Sequence, residues 1–101
     1  MPEFGTPYST LSAEKKITRE ELIRAIRFFV AAEYEAIQLY TETAESTDEL
    51  LARKVLYDIA NEEKVHAGEF LRLLKELDKE EEKFYKEGEK EVEEMIEKVN
   101  R

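Results

Sequence analysis

Residues 61–66 read NEEKVH, and they interrupt what is otherwise an apolar helical stripe. Val55, Leu56 and Ile59 precede them, and Phe70, Leu73 and Leu77 follow. His66 is the only histidine in the 101 residues. Burying an unpaired carboxylate is costly even after relaxation. A helix that breaks a good core face with an acid and its only imidazole therefore needs a physical reason.

The stripe continues as Ala52, Leu56, Ile59, Glu63, His66, Phe70, Leu73 and Leu77. Steps of four and three define one face of an α-helix, expected over about 48–77. Upstream, Leu22, Ile26, Phe29, Glu33, Ala36, Tyr40 and Ala44 repeat the pattern and predict a first helix over about 19–45. Thr18 fits its N-cap, with Glu21 at the reciprocal capping-box position and Ile17 and Leu22 suited to a hydrophobic staple. In ESTDEL (45–50), Ser46 or Thr47 can cap the second helix. Asp48 and Glu49 would then lie at the positive end of its dipole. The short connection predicts an antiparallel hairpin.

Asp78 can cap a third helix over about 79–99, with Glu81 in the capping-box position. Tyr85, Val92, Met95 and Val99 keep a narrow seam of the coiled-coil kind, and Gly88 on that seam marks a bend or a close contact. Glu82 with Lys86 and Glu94 with Lys98 are favourable i, i+4 pairs. Both prolines (Pro2, Pro7) lie in 1–16, which read as an extended arm before a helical domain over 17–101.

Composition narrows the function. Charged residues make up 41% and the formal net charge is -9. Nucleic acid is excluded as a partner, because phosphate binding needs clustered Lys and Arg. An acidic surface instead concentrates cations. The absence of cysteine excludes disulfides and thiolate metal sites. No apolar run approaches the roughly 18 residues of a membrane span, and no signal peptide stands out. The expected location is the cytoplasm.

Each stripe carries ionisable residues at mid-length. With a turn near residue 47, Glu33 lies 14 residues before it, and Glu63 and His66 lie 16 and 19 after it. All three are expected at one height, facing one interior. A divalent metal would offset the cost of that burial. Glu63 and His66, about 4.5 Å apart along the axis, form the Glu-x-x-His element of ferritin-like di-iron bundles. Such a centre needs a Glu from each of two helices and a Glu-x-x-His from each of two others. One chain supplies half of that set, and a hairpin is half of a four-helix bundle. The expected fold is therefore all-α: a two-helix hairpin plus a C-terminal helix, dimerising into a ferritin-like four-helix bundle with the site at the interface.

EYEAIQLY (33–40) followed by NEEKVHAGEF (61–70) resembles the encapsulated ferritin family, within the ferritin and rubrerythrin superfamily, over roughly residues 18–78. The resemblance implies a ferroxidase that oxidises Fe(II) with dioxygen at a di-iron centre shared between two chains. It implies a homo-oligomer, a ring of dimers such as a decamer, working inside an encapsulin shell that stores the iron. Glu33, Glu63 and His66 match the iron ligands, and Tyr40 matches a tyrosine beside the centre. Leu39 stands where family members have an aromatic. Glu35 matches one of an acidic pair at a metal access site, whose other position here is Ala32. No shell-targeting tail follows the third helix, which leaves either a cut chain or one that continues into a shell protein.

The bland alternatives are a hydrogen-bonded core role for His66, a rim position for Glu33, ordinary core for Tyr40 and solvation for Glu35, and Phe28, Phe29 and Phe70 read as core. Tyr34 and Tyr57 read as packing residues. Glu62, at i-4 from His66, rivals Glu63 as ligand. Two rival functions are a rubrerythrin-like peroxidase and a helical assembly protein with zinc as a structural staple. Zinc prefers four ligands, whereas a dimer offers at least six.

Overall fold

The computed structural model describes residues 16–101. The expected arm falls, apart from Lys16, outside the described residues. Three helices account for nearly all of them: α1 (Arg19–Glu45), α2 (Leu50–Leu77) and α3 (Lys79–Val99). No strand occurs among the described residues, and no helix there is long and apolar enough to cross a membrane.

Local chemistry sets the boundaries. At α1 the capping box is complete: the Glu21 amide donates to Thr18 Oγ1 at 3.1 Å and the Thr18 amide to Glu21 Oε1 at 2.8 Å. The start of α2 departs from expectation. Ser46 closes α1 instead, its amide donating to the Thr43 carbonyl at 3.0 Å and its hydroxyl to the Glu42 carbonyl at 2.8 Å. Thr47 Oγ1 accepts from the Glu49 amide at 3.2 Å. That consumes both hydroxyls, so α2 begins at Leu50 behind Glu49, whose side chain makes no cap. Asp48 and Glu49 precede the helix rather than forming its first turn.

The hairpin seam is thin. Its buried residues are Ala25, Ile26, Val30 and Ala44 of α1 and Ala60, Ala67 and Leu74 of α2. Four of these seven are alanines, each of which removes little apolar area from water. On α2 the buried line is therefore 60–67–74, displaced from the expected stripe. Apart from Ile26 and Ala44, the stripe residues lie beside the seam, on a face that nothing among the described residues covers. Phe29 and Leu73 are 40% and 43% exposed. The Phe29 and Phe70 rings sit there 5.4 Å apart and tilted by 46°. Phe28, Tyr34 and Tyr57 are also exposed rather than packed. Periodicity reported the whole apolar width of each helix, and the hairpin uses only one edge of it.

α3 leaves the hairpin at Asp78, and the Cα envelope is a flat 49 × 44 × 17 Å. None of its residues is buried. Gly88 marks neither a bend nor a close contact, because α3 runs through it and an added Cβ would meet nothing within 4 Å. Among the described residues the Lys and Arg ion pairs at helix spacing are Arg72–Glu76, Glu76–Lys79 and Glu97–Arg101, not the Glu82–Lys86 and Glu94–Lys98 pairs expected along α3.

A polar latch sets the direction of α3. Asp78 Oδ1 caps the helix by accepting from the Glu81 amide at 3.0 Å. The Glu81 side chain does not close a capping box. It turns to α1 and accepts from Arg27 Nε at 3.1 Å, from Arg27 Nη2 and from the Tyr85 hydroxyl. Arg19 adds a bond to the Leu77 carbonyl at 3.0 Å. Arg27 beside Glu81 holds that carboxyl below the usual glutamate range, while the Glu81 carboxylate pushes the Tyr85 hydroxyl up to about 12.

The signs follow. A lowered Glu81 value means its contribution is present above the ordinary carboxylate value of about 4.3 and is lost as pH falls through the lowered folded value. A raised Tyr85 value means its contribution is present below about 10 and is lost as pH rises through about 12. Spin labels at Gln38→Cys and Glu93→Cys, diluted into unlabelled protein, are expected to give one narrow distance distribution at pH 7. Arg27→Ala should broaden it at pH 7. The intact chain should broaden only at the acid and alkaline extremes.

Candidate metal centre

The antiparallel register brings Glu33 of α1 opposite Glu63 and His66 of α2. His66 Nδ1 stands 3.8 Å from Glu33 Oε2 and 3.6 Å from Glu63 Oε2. One ligand atom from each residue lies within 4.8 Å of the others. No other such group of three acids or histidines converges among the described residues.

The side chains of Glu33 and Glu63 are 16% and 20% exposed, that of His66 49%. Glu33 Oε2 is buried and has no hydrogen-bond partner. An ion pair with His66 does not repair this, because 3.8 Å is too long for a hydrogen bond. The spacing suits a cation instead. Two ligands bound at about 2.1 Å to one metal at about 100° stand roughly 3.2 Å apart. The two gaps to His66 Nδ1, 3.8 and 3.6 Å, exceed that only slightly, while the three ligand atoms together span up to 4.8 Å, so the side chains would draw in on a bound metal. The donor set of two carboxylates and an imidazole suits Fe, Mn or Zn.

The remaining candidates separate. Glu62 is exposed on α2, so Glu63 is the acid that joins the group. Glu35 is exposed, and two residues turn it about 200° around α1 from Glu33. Tyr40 is half-buried on the Glu33 face, two turns and about 10.5 Å further along α1. Glu69 was not anticipated. It lines a cleft of about 280 Å3 with Glu33, His66 and Phe70. The signal was available, since Glu63, His66 and Glu69 follow one another at steps of three.

Similarity to known proteins agrees with the fold. The family model Rubrerythrin matches residues 22–101, reaching through α3. A ferritin-like-encapsulin shell fusion protein of Pyrococcus furiosus is 41% identical over 85 residues, covering 84% of this chain and 25% of that protein. The encapsulin nanocompartment cargo protein EncC of Myxococcus xanthus is 38% identical over 80 residues, covering 79% of this chain and 60% of that protein. The chain thus spans a quarter and three-fifths of the lengths of these relatives. The crystal structure of the encapsulated ferritin domain from P. furiosus superposes with a TM-score of 0.77 at 41% identity, covering 85% of this chain and 88% of that one. A family model matched from α1 through α3, together with these relatives, shows that the chain belongs to the rubrerythrin family of ferritin-like domains and is homologous to the encapsulated ferritin domain.

Proposed function

We propose that this chain oxidises Fe(II) to Fe(III) with dioxygen at a di-iron centre completed between two copies, and that it does so as cargo of an encapsulin compartment in the cytoplasm. The observation that carries the reading is the orphaned Glu33 Oε2, held beside Glu63 and His66 on a helix face that no described residue covers. The fit to a cation is good but the count is half. Three ligands leave a metal open, and a two-fold related copy would bring the total to four carboxylates and two imidazoles.

Each residue has a distinct role in this reading. Glu33 and Glu63 supply hard oxygen ligands whose charge offsets that of the iron. His66 supplies the nitrogen, and its half-exposed ring lies on the solvent side of the site. Tyr40 is too far along α1 to bond its own Glu33, so its hydroxyl acts across the interface on a ligand carboxylate of the other copy. Two Fe(II) substrate ions held side by side by these residues would supply the two electrons that reduce one dioxygen to hydrogen peroxide, with two protons drawn from solvent. The apolar flank of Phe29 and Phe70 gives the second hairpin a surface to cover and keeps bulk water from the centre. The names of the relatives support the encapsulin partner.

Admitting air to anaerobic, Fe(II)-loaded protein is expected to raise Fe(III) absorbance within seconds. His66→Ala should lower the initial rate at least 100-fold while leaving the helical circular dichroism within a tenth of the wild type. Tyr40→Phe should slow it about ten-fold. Full activity in His66→Ala would remove that residue from the chemistry. Oxidation that is slow with dioxygen and fast with hydrogen peroxide would replace the ferroxidase with a peroxidase.

A further inference from the structure

The buried oxygen of Glu33 must be reached by its cation from solvent, and the described residues offer a polar approach. Glu33, His66, Glu69 and Phe70 line a single cleft beside the group. Phe70 makes one wall apolar, so a hydrated cation has polar atoms on the other side only.

Along α2, Glu63, His66 and Glu69 are three residues apart, and each step turns about 60° around the helix. The series therefore winds outward. Glu63 is the shielded member at 20% exposed, while His66, at 49%, and Glu69 both stand exposed. Two shielded carboxylates, with an exposed imidazole and a further exposed carboxylate beside them, give the cleft a continuous polar side.

The Glu69 carboxylate is also uncommitted. It makes no ion pair or hydrogen bond among the described residues, while Arg72, one turn further on, is engaged with Glu76 at 3.1 Å. Glu35 cannot serve this path, because its position on α1 points it away from the Glu33 side of the helix.

We propose that Glu69 is the capture carboxylate that draws a divalent cation into the cleft and passes it to His66, Glu63 and Glu33. This rests on the metal-binding reading of that group. Glu69 is a positioning residue, not a ligand of the final site. It acts by its charge at the mouth, which raises the local cation concentration and the association rate.

Stopped-flow absorbance with Co(II) as the probe tests this on the full chain without turnover. Glu69→Gln should slow Co(II) association about five-fold at low ionic strength, and the deficit should shrink toward two-fold in about 0.5 M salt as screening removes the steering. Final Co(II) stoichiometry should match the wild type. Asp58→Asn removes the same charge from an exposed α2 position outside the cleft and should leave the rate within 1.5-fold, roughly what a distant screened charge contributes. A Glu69→Gln rate equal to that of Asp58→Asn would overturn the capture role alone. Lost stoichiometry in Glu69→Gln would overturn it by making Glu69 a ligand. A wild-type chain that takes up no Co(II) would overturn both this inference and the metal centre beneath it.

Discussion

Glu33 Oε2 lies on the inner side of α1 with its access to water removed and no donor within hydrogen-bond reach. A buried carboxylate oxygen in that condition destabilises the fold unless a cation or a further donor arrives. Glu63 and His66 do not supply that donor, since the first repels it and the second is 3.8 Å away. What they supply is the rest of a coordination shell. The strain in the hairpin and the function proposed for it therefore have one origin.

The same incompleteness appears in the apolar residues. Seven buried residues, mostly alanines, hold together two helices of 27 and 28 residues. Helices of that length draw most of their stability from packing an apolar face rather than from propensity. Here much of the face lies open, with Phe29, Phe70 and Leu73 beside the ionisable cluster. A second hairpin laid on that face would bury the aromatic flank and complete the ligand set in one step. Folding, assembly and metal uptake are on this account coupled, because metal that binds only the assembled state stabilises it by mass action.

Local chemistry was legible in the sequence, and relations between distant segments were legible only where the hairpin register carries them. Thr18 and Glu21 announce the start of α1 because both partners lie within four residues. Glu63 and His66 stand out as a pair because helix geometry fixes their separation, and counting from the turn sufficed to bring Glu33 beside them. The start of α2 was misjudged because Ser46 and Thr47 each had another backbone group to satisfy. Phe28 and Phe29 were expected in the core because periodicity reveals an apolar face without saying what covers it. The Arg27–Glu81–Tyr85 latch escaped notice because 54 residues separate Arg27 from Glu81. Glu69 was passed over because it falls off the apolar stripe, although its spacing continues that of Glu63 and His66.

The central claim is that one chain holds half a centre. Native mass spectrometry during an anaerobic Fe(II) titration of metal-free protein measures it directly. The account predicts that iron appears only in species with an even number of chains, that each pair of chains takes two irons, and that uptake ends at about one iron per chain. Single chains carrying iron at the same stoichiometry, or pairs that hold one iron and accept no second, would contradict it.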